Sequence, residues 1–258
     1  MELTLSQLDA LLLTWLWPLL RVAGLVMTAP VFGTRSVPIR VRVVMVLALT
    51  LLIVPLIPPP PAVSPLSGQA LLITFSQVMI GMAMGLAVRL VFMVFELAGQ
   101  VVAQTMGLGF ATFVDPENGQ QVPVISQFYT ILAVLTFLGL NGHLLLIQAL
   151  ARSFEILPVG GPGLGREGLW ELLVWGGWLF GNAVLIALPV IVSLLIINLS
   201  FGIMTRAAPQ MNIFAVGFPI MIMLGVVVIL LTLPSLQPHF TRLTREAVAM
   251  SLRLLTGS

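Results

Sequence analysis

The chain has 258 residues, of which 59% are apolar and only 8% are charged, and it contains no cysteine. Soluble domains carry roughly 25% charged residues, so this composition excludes a soluble enzyme and indicates an integral membrane protein with several hydrophobic spans. All eleven basic residues are arginines that lie scattered without interleaved aromatic residues, so we predict no nucleic-acid surface. The expected contacts are with membrane lipid and with other proteins.

The first predicted element is an apolar helix over residues 11–32, whose only charge is Arg21. A basic connector follows with Arg35, Arg40 and Arg42, and the positive-inside rule places this connector in the cytoplasm. Residues 43–57 are apolar but short for a full crossing. Four prolines at residues 58–61 end this segment, because proline lacks the backbone donor that a helix needs.

A long helix is predicted from Ala70 onward. Its helical pattern continues through four polar residues that fall on one arc of about 80° around the helix. We call them the polar stripe: Arg89, Glu96, Gln100 and Gln104. A charge at bilayer depth costs roughly 2.5–3.5 kcal/mol, so we predict that the stripe is shielded from lipid. An internal network that orders helices, a contact with a partner subunit or a pore, and a transporter's substrate site are the open alternatives.

The sequence changes character at residues 107–123, where Asp-Pro and Asn-Gly turn signals predict an ordered loop between helices. Its phenylalanines offer apolar surface that can exclude water from a constriction. Its acidic and amide residues suit a wet lumen. Two interpretations of this loop remain open. It is either an element that closes a pore or a solvent-exposed connector without a role in gating.

Three stretches without Asp, Glu or Arg follow, and each exceeds the ~20 residues that a crossing needs. They lie between Glu117 and Arg152, between Glu171 and Arg206, and between Arg206 and Arg242. A Pro/Gly connector at residues 158–165 separates the first from the second.

The membrane topology contains a conflict. Six plain crossings would place the arginine-rich tail outside, against the positive-inside rule. At least one segment is therefore predicted to be re-entrant or part of a hairpin that packs within an assembly. Pro189 and Pro219 are expected to break the two long apolar runs beside Arg206.

Two glycine pairs have the small-xxx-small spacing that permits close helix approach in lipid: Gly81 with Gly85, and Gly177 with Gly181. No phosphate loop, nucleophile elbow or metal motif occurs in the sequence. The two histidines lie far apart in the sequence, without a carboxylate at ligand spacing. We therefore predict no catalytic residues, no metal and no cofactor.

Four stretches of the sequence together resemble one family. They are residues 33–42, residues 107–123 with Phe-Ala-Thr-Phe-Val-Asp-Pro at the centre, residues 141–160 beginning Asn-Gly-His, and residues 206–219 ending Gly-Phe-Pro. In this order and at these separations they resemble the FliR family, the R component of the flagellar type III export gate. The resemblance spans nearly the whole chain.

The resemblance implies an all-α membrane fold of kinked helical hairpins. Residues 1–160 would be FliP-like and contain the loop, and residues 161–258 would form a FliQ-like hairpin. The chain would join FliP and FliQ in a helical pore complex beside FlhB and the basal-body membrane ring, in the bacterial inner membrane. Unfolded flagellar proteins would pass through this pore. The alternative is a stand-alone polytopic transporter of a small solute.

The predicted site residues form two sets, and the resemblance assigns the first of them. The pore plug loop comprises Phe110, Ala111, Thr112, Phe113, Val114, Asp115, Pro116, Glu117, Asn118, Gly119, Gln120, Gln121 and Val122. Helix breakers and one amide also cluster in the otherwise apolar C-terminal half, where we predict a helix break that contacts neighbouring subunits. This predicted interface comprises Arg206, Pro209, Asn212, Phe218 and Pro219.

Overall fold

The computed structural model describes residues 5–34, 36–61, 63–65, 67–108, 123–207 and 213–256. All regular secondary structure in these ranges is helical. The α-helices are α1 (Leu5–Thr28), α2 (Ile39–Ile53), α3 (Gly68–Thr105), α4 (Val124–Gly139), α5 (Gly142–Ile156), α6 (Arg166–Ala207) and α7 (Ile213–Thr256), and a 3-10 turn over Val54–Leu56 extends α2. The predicted all-α fold is confirmed.

Four helical segments in the described ranges are long and apolar enough to cross a bilayer: Ile39–Leu56, Gly68–Thr105, Arg166–Arg206 and Gly217–Thr256. Helices α4 and α5 meet the same test only as a pair, and they are bent by 66° relative to each other. The protein is therefore a multi-pass membrane protein. The bent pair agrees with the expectation that at least one segment does not cross simply.

Most helix boundaries lie where the sequence has helix-breaking or turn-forming residues. Helix α3 runs without interruption through the polar stripe, as the pattern predicts. The 3-10 turn ends just before the four prolines, and the Pro/Gly connector at residues 158–165 separates α5 from α6. Asn141, in the left-handed region with φ 55°, turns the chain between α4 and α5.

The two prolines expected to break the C-terminal runs do not end a helix. Pro189 lies inside α6 and Pro219 lies inside α7, which also contains Pro234 and Pro238. Each proline removes one backbone hydrogen bond. A helix of about forty residues keeps the remaining bonds of its ladder, so the sequence-based expectation of a break at Pro189 and Pro219 is wrong.

The chain forms two compact units. The first comprises Met1–Val91, Phe137–Gly176 and Leu243–Ser258, and the second comprises Phe92–Thr136 and Gly177–Arg242. Each unit thus draws on both sides of residue 160. The division into a FliP-like and a FliQ-like part concerns similarity rather than compactness, and it stays a prediction.

Small apolar clusters hold the first unit together. One cluster joins α1 to the start of α3 through Leu13, Trp17, Ala70 and Ile73. Another brings the end of α7 onto α3 through Ala83, Ala87, Met250 and Leu254. Trp175 of α6 packs against this second cluster, and its indole N–H donates to the carbonyl oxygen of Ala87 at 3.3 Å.

Candidate functional site

Arg21 lies in the middle of α1, in the first unit, and its side chain is fully buried. Its Nε donates to the Gln77 Oε1 of α3 at 2.8 Å. Its Nη1 donates to the carbonyl oxygen and hydroxyl of Ser153 at 2.9 and 3.1 Å, and its Nη2 donates to the Leu157 carbonyl at 2.8 Å. One guanidinium therefore joins α1, α3 and the end of α5.

The guanidinium also meets the electrostatic needs of that helix end. Helix α5 ends at Ile156, so the carbonyl groups of Ser153 and Leu157 belong to its last turn. The Ser153 carbonyl also accepts the backbone N–H of Leu157 at 3.0 Å. The Leu157 carbonyl follows the helix end, where such groups lack intrahelical partners and carry partial negative charge. The centroid of the Phe154 ring lies 4.1 Å from the guanidinium carbon, so the ring adds a cation–π contact. We call Arg21, Gln77, Ser153, Phe154 and Leu157 the arginine centre.

Sequence reasoning missed the arginine centre, although a signal was present. Arg21 is the only charge in its apolar segment. A charge inside an apolar helix is expensive unless it is paired, and this cost applies to Arg21 as it does to Arg89 and Glu96.

Glycines bring α1 and α3 into backbone contact beside this centre. A Cβ atom on Gly24 would lie 2.7 Å from the Val78 carbonyl oxygen, and one on Gly81 would collide with the Arg21 carbonyl oxygen. A Cβ atom on Gly85 would lie 2.8 Å from the carbonyl oxygen of Leu25. We call this contact the glycine seam.

The second glycine pair behaves differently. Cβ atoms added at Gly177 and Gly181 of α6 would meet no atom within 4 Å. Of two identical sequence patterns, only the first therefore serves close helix approach within the described chain.

The polar stripe lies on α3 as predicted, but its members differ in burial. Arg89 and Gln104 are exposed, whereas Glu96 and Gln100 are half-buried. The Ser126 hydroxyl donates to the backbone carbonyl of Glu96 at 2.8 Å. No hydrogen bond or ion pair joins the Arg89 or Glu96 side chain to another described residue. The shielding of the stripe by a partner subunit stays a prediction.

The plug loop, residues 110–122, lies outside the described residues, as do Pro209 and Asn212 of the predicted interface. Residues next to these two segments nevertheless meet in the second unit. Gly107 adopts φ 83°, which favours glycine. A Cβ atom there would lie 3.5 Å from the Phe218 ring. The end of α3 and the start of α7 therefore contact each other.

The described residues of the predicted interface are accessible. Arg206, near the end of α6, is exposed. Phe218 and Pro219 are exposed in the second turn of α7 rather than at a helix break. Their contact with neighbouring subunits stays a prediction.

Helices α6 and α7 present most of their apolar surface outward. In their most apolar segments only 22% of residues are buried, against 61% in α3. The large exposed apolar residues of α6 are Leu169, Trp170, Leu173, Val174, Phe180, Val184, Leu185, Leu188, Val192, Leu195, Ile196, Leu199, Ile203 and Met204. Within the described ranges, no group of three or more His, Cys, Asp or Glu side chains is arranged to hold a metal ion.

The chain is similar to known proteins over most of its length. The family model described as bacterial export proteins, family 1, matches residues 12–247. The flagellar biosynthetic protein FliR of Escherichia coli (strain K12) is 39% identical over 238 residues, which cover 91% of each chain. The chain belongs to the FliR family.

Further FliR proteins show the same extent of similarity. The FliR of Pectobacterium carotovorum subsp. carotovorum is 39% identical over 242 residues, covering 93% of this chain and 92% of its own. The FliR of Aquifex aeolicus (strain VF5) is 31% identical over 236 residues, covering 90% of this chain and 91% of its own. Membership of the FliR family gives the chain a role in flagellar export, in association with the export apparatus. FliR proteins are export components and not known enzymes.

Proposed function

We propose that the chain is a non-enzymatic subunit of the flagellar type III protein export gate. In this proposal it forms with FliP and FliQ the pore through which unfolded flagellar proteins leave the cell, beside FlhB and within the basal-body membrane ring. The membrane is the bacterial inner membrane. Family membership supports the export role, and the exposed surface of α6 supports assembly with other subunits.

The length of the α6 surface carries the assembly argument. Large exposed apolar residues run from Leu169 to Met204, which corresponds to about 53 Å along the helix axis. The hydrocarbon core of a bilayer is about 30 Å thick. Even a 40° tilt lengthens the path through this core to only about 39 Å. At least ~10 Å of this apolar surface therefore needs cover from protein.

A stand-alone transporter of a small solute fits these facts less well. Such a protein reaches its final fold alone or as a symmetric dimer, with its apolar belt matched to the bilayer. The excess apolar length of α6 has no place in that arrangement. The polar stripe supplies a transporter with only one acid, Glu96, in the described part of α3.

Co-expression tests the assembly. With FliP and FliQ of the same organism, a tagged chain is expected to purify in a large asymmetric assembly with several copies of both, measured by native mass spectrometry. Expressed with an unrelated polytopic membrane protein as control, the chain is expected to form no such assembly. A chain that purifies alone as a monodisperse monomer or dimer and carries a solute into liposomes would contradict the proposal.

Gating by the plug loop is a separate prediction. Deletion of residues 112–118 is expected to leave assembly with FliP and FliQ intact and to raise the leakage of ions through the complex in liposomes. The reason is that Phe113 and Val114 would no longer exclude water from the constriction. Ion flux through reconstituted complexes measures the effect.

A second variant distinguishes a pore plug from a solvent-exposed connector without a role in gating. Replacing residues 112–118 by seven Gly and Ser residues keeps the connection but removes the apolar surface. A plug predicts leakage for the replacement as well as for the deletion. Normal assembly with unchanged permeability in both variants would remove the gating proposal and leave the family assignment untouched.

A further inference from the structure

Helix α3 ends in a compact turn just before the plug loop. The Gly107 N–H donates to the Gln104 carbonyl at 3.0 Å. The Leu108 N–H donates to the Ala103 carbonyl, also at 3.0 Å. With Gly107 in the left-handed region at φ 83°, these two bonds form a Schellman motif, which gives partners to carbonyls that a helix end leaves unpaired. The motif fixes the direction in which the chain leaves α3.

This turn is held against α7 by two contacts. The Met106 side chain is buried, and it fills the space that a side chain at Gly225 would occupy. A Cβ atom on Gly225 would lie 2.8 Å from the Met106 Cγ and 2.6 Å from its Cε. The Phe218 ring lies over Gly107. All four residues belong to the second unit, and we call Met106, Gly107, Phe218 and Gly225 the loop root.

The chain on the other side of the plug loop is attached to the same helix. Helix α4 begins at Val124, and Ser126 in its first turn is buried. A Cβ atom on Gly99 of α3 would lie 2.5 Å from the Ser126 Cα, and the Ser126 hydroxyl donates to the Glu96 carbonyl at 2.8 Å. The described residues on both sides of the loop are therefore packed against the last three turns of α3.

We propose that the loop root positions the plug loop and stays closed during export. The left-handed residue 107 sets the direction in which the chain enters residues 110–122, and the contact of Met106 with Gly225 fixes that direction relative to α7. Separation of α3 from α7 would expose the Met106 side chain and leave an empty space beside Gly225, which is costly in a packed core. Movement of the plug loop therefore begins beyond Leu108. The inference rests on the proposed gating role of this loop.

Gly107→Ala tests the role of the left-handed residue. The added Cβ has room, since it would lie 3.5 Å from the Phe218 ring, so the variant acts mainly on the backbone. Alanine rarely adopts φ 83° because its Cβ crowds the following carbonyl oxygen. The strain shifts the root away from this conformation by roughly 5–30-fold. In complexes with FliP and FliQ reconstituted into liposomes, basal ion leakage is expected to rise by up to this factor.

Two control variants identify the cause of the leakage. Gly107→Asn adds the same Cβ but tolerates the left-handed region, so it should leak much less than Gly107→Ala. Gly139→Ala, at the end of α4, adds a Cβ that meets no atom within 4 Å, and it should leak no more than the parent chain. Equal leakage from both variants at position 107 would contradict the proposal, because added bulk rather than backbone direction would then be the cause.

The deletion of residues 112–118 separates a failure of the loop root from a failure of gating. If the deletion leaks and Gly107→Ala does not, the loop root does not position the loop, while the gating proposal stands. If neither variant leaks, gating is wrong and the role of the loop root falls with it.

A disulfide tests whether the root stays closed. The chain has no cysteine, so Met106→Cys with Gly225→Cys introduces one pair. The sulfur at position 106 takes the place of the Met106 Cγ, 2.8 Å from the Cβ position of residue 225, which brings the two Cβ atoms within reach of a disulfide. Export of a flagellar protein is measured in inverted membrane vesicles that contain the complete export apparatus, after oxidation and again after reduction, with Met106→Cys alone as the control for oxidation.

The disulfide is expected to form in most copies of the chain and to leave the export rate the same in the oxidised and reduced states. Export that stops on oxidation and returns on reduction would show that α3 and α7 separate at the root, and it would overturn the proposal. Failure of the pair to crosslink would overturn it as well, because Met106 and Gly225 would then not be in contact. This measurement does not depend on the assembly of the Gly107 variants.

Discussion

Replacement of Arg21 by leucine is expected to destabilise the chain by on the order of 4 kcal/mol. The variant loses four hydrogen bonds from a charged donor. It leaves the Gln77 amide oxygen and the Leu157 carbonyl without this donor, while the Ser153 carbonyl keeps its bond from the Leu157 N–H. The measurement is the temperature at which half of the detergent-solubilised chain aggregates. For a chain of this size we expect a fall of about 10 °C.

Two further variants identify the cause of this loss. Arg152→Leu makes the same chemical change at an exposed arginine one residue before Ser153, and it should leave the aggregation temperature nearly unchanged. Arg21→Lys keeps the charge but lacks the planar fork that reaches both Gln77 of α3 and the end of α5, so its effect should be intermediate. Equal aggregation temperatures for Arg21→Leu and Arg152→Leu would show that the arginine centre does not stabilise the fold.

Substitution of a glycine in the glycine seam is expected to cause a second large loss of stability. Gly81→Ala improves helix propensity by about 1 kcal/mol, but its Cβ would collide with the Arg21 carbonyl oxygen. Because that atom belongs to the backbone of α1, the helix itself has to move, and overpacking of this kind costs about 1–3 kcal/mol. The same movement shifts Arg21 away from Ser153 and Leu157. We expect a net destabilisation of roughly 2–3 kcal/mol, measured by the same aggregation assay.

Gly177→Ala is the matched control, since it changes the first glycine of the second pair. No atom lies within 4 Å of the added Cβ. Only the propensity gain of about 1 kcal/mol remains, so this variant should be as stable as the parent chain or slightly more stable. If both alanine variants of the chain, expressed alone, have the same aggregation temperature, close approach at the seam is unimportant for stability.

The sequence predicts the helices well because their limits depend on local chemistry. The prolines at residues 58–61 and the Pro/Gly connector at 158–165 both lie between helices, as expected. The interior prolines are the exception: Pro189 and Pro219 are accommodated within helices. A single proline weakens a helix by about 3 kcal/mol, and packing and the remaining hydrogen bonds of a long helix outweigh this loss.

Local sequence patterns mark Arg21 as a charge that needs partners, but they do not identify those partners. The partners of Arg21 lie 56, 132 and 136 positions away in the sequence. Two of the acceptors are backbone carbonyls, which no side-chain pattern marks. The two glycine pairs show the same limit, because identical spacing is packed in α3 and open in α6. Only the fold decides which polar groups and which glycines meet.

The chemistry of the arginine centre makes its members unequal under random mutation. Leu157 contributes its carbonyl oxygen, which every amino acid carries, and Ser153 offers both a carbonyl and a hydroxyl. Exchange of Leu157 for another apolar residue therefore leaves all four hydrogen bonds available. Arg21 supplies a planar group with five donors that no other side chain reproduces. The α5 positions of the arginine centre are therefore expected to tolerate more substitutions than position 21 of α1, where no other side chain replaces the guanidinium.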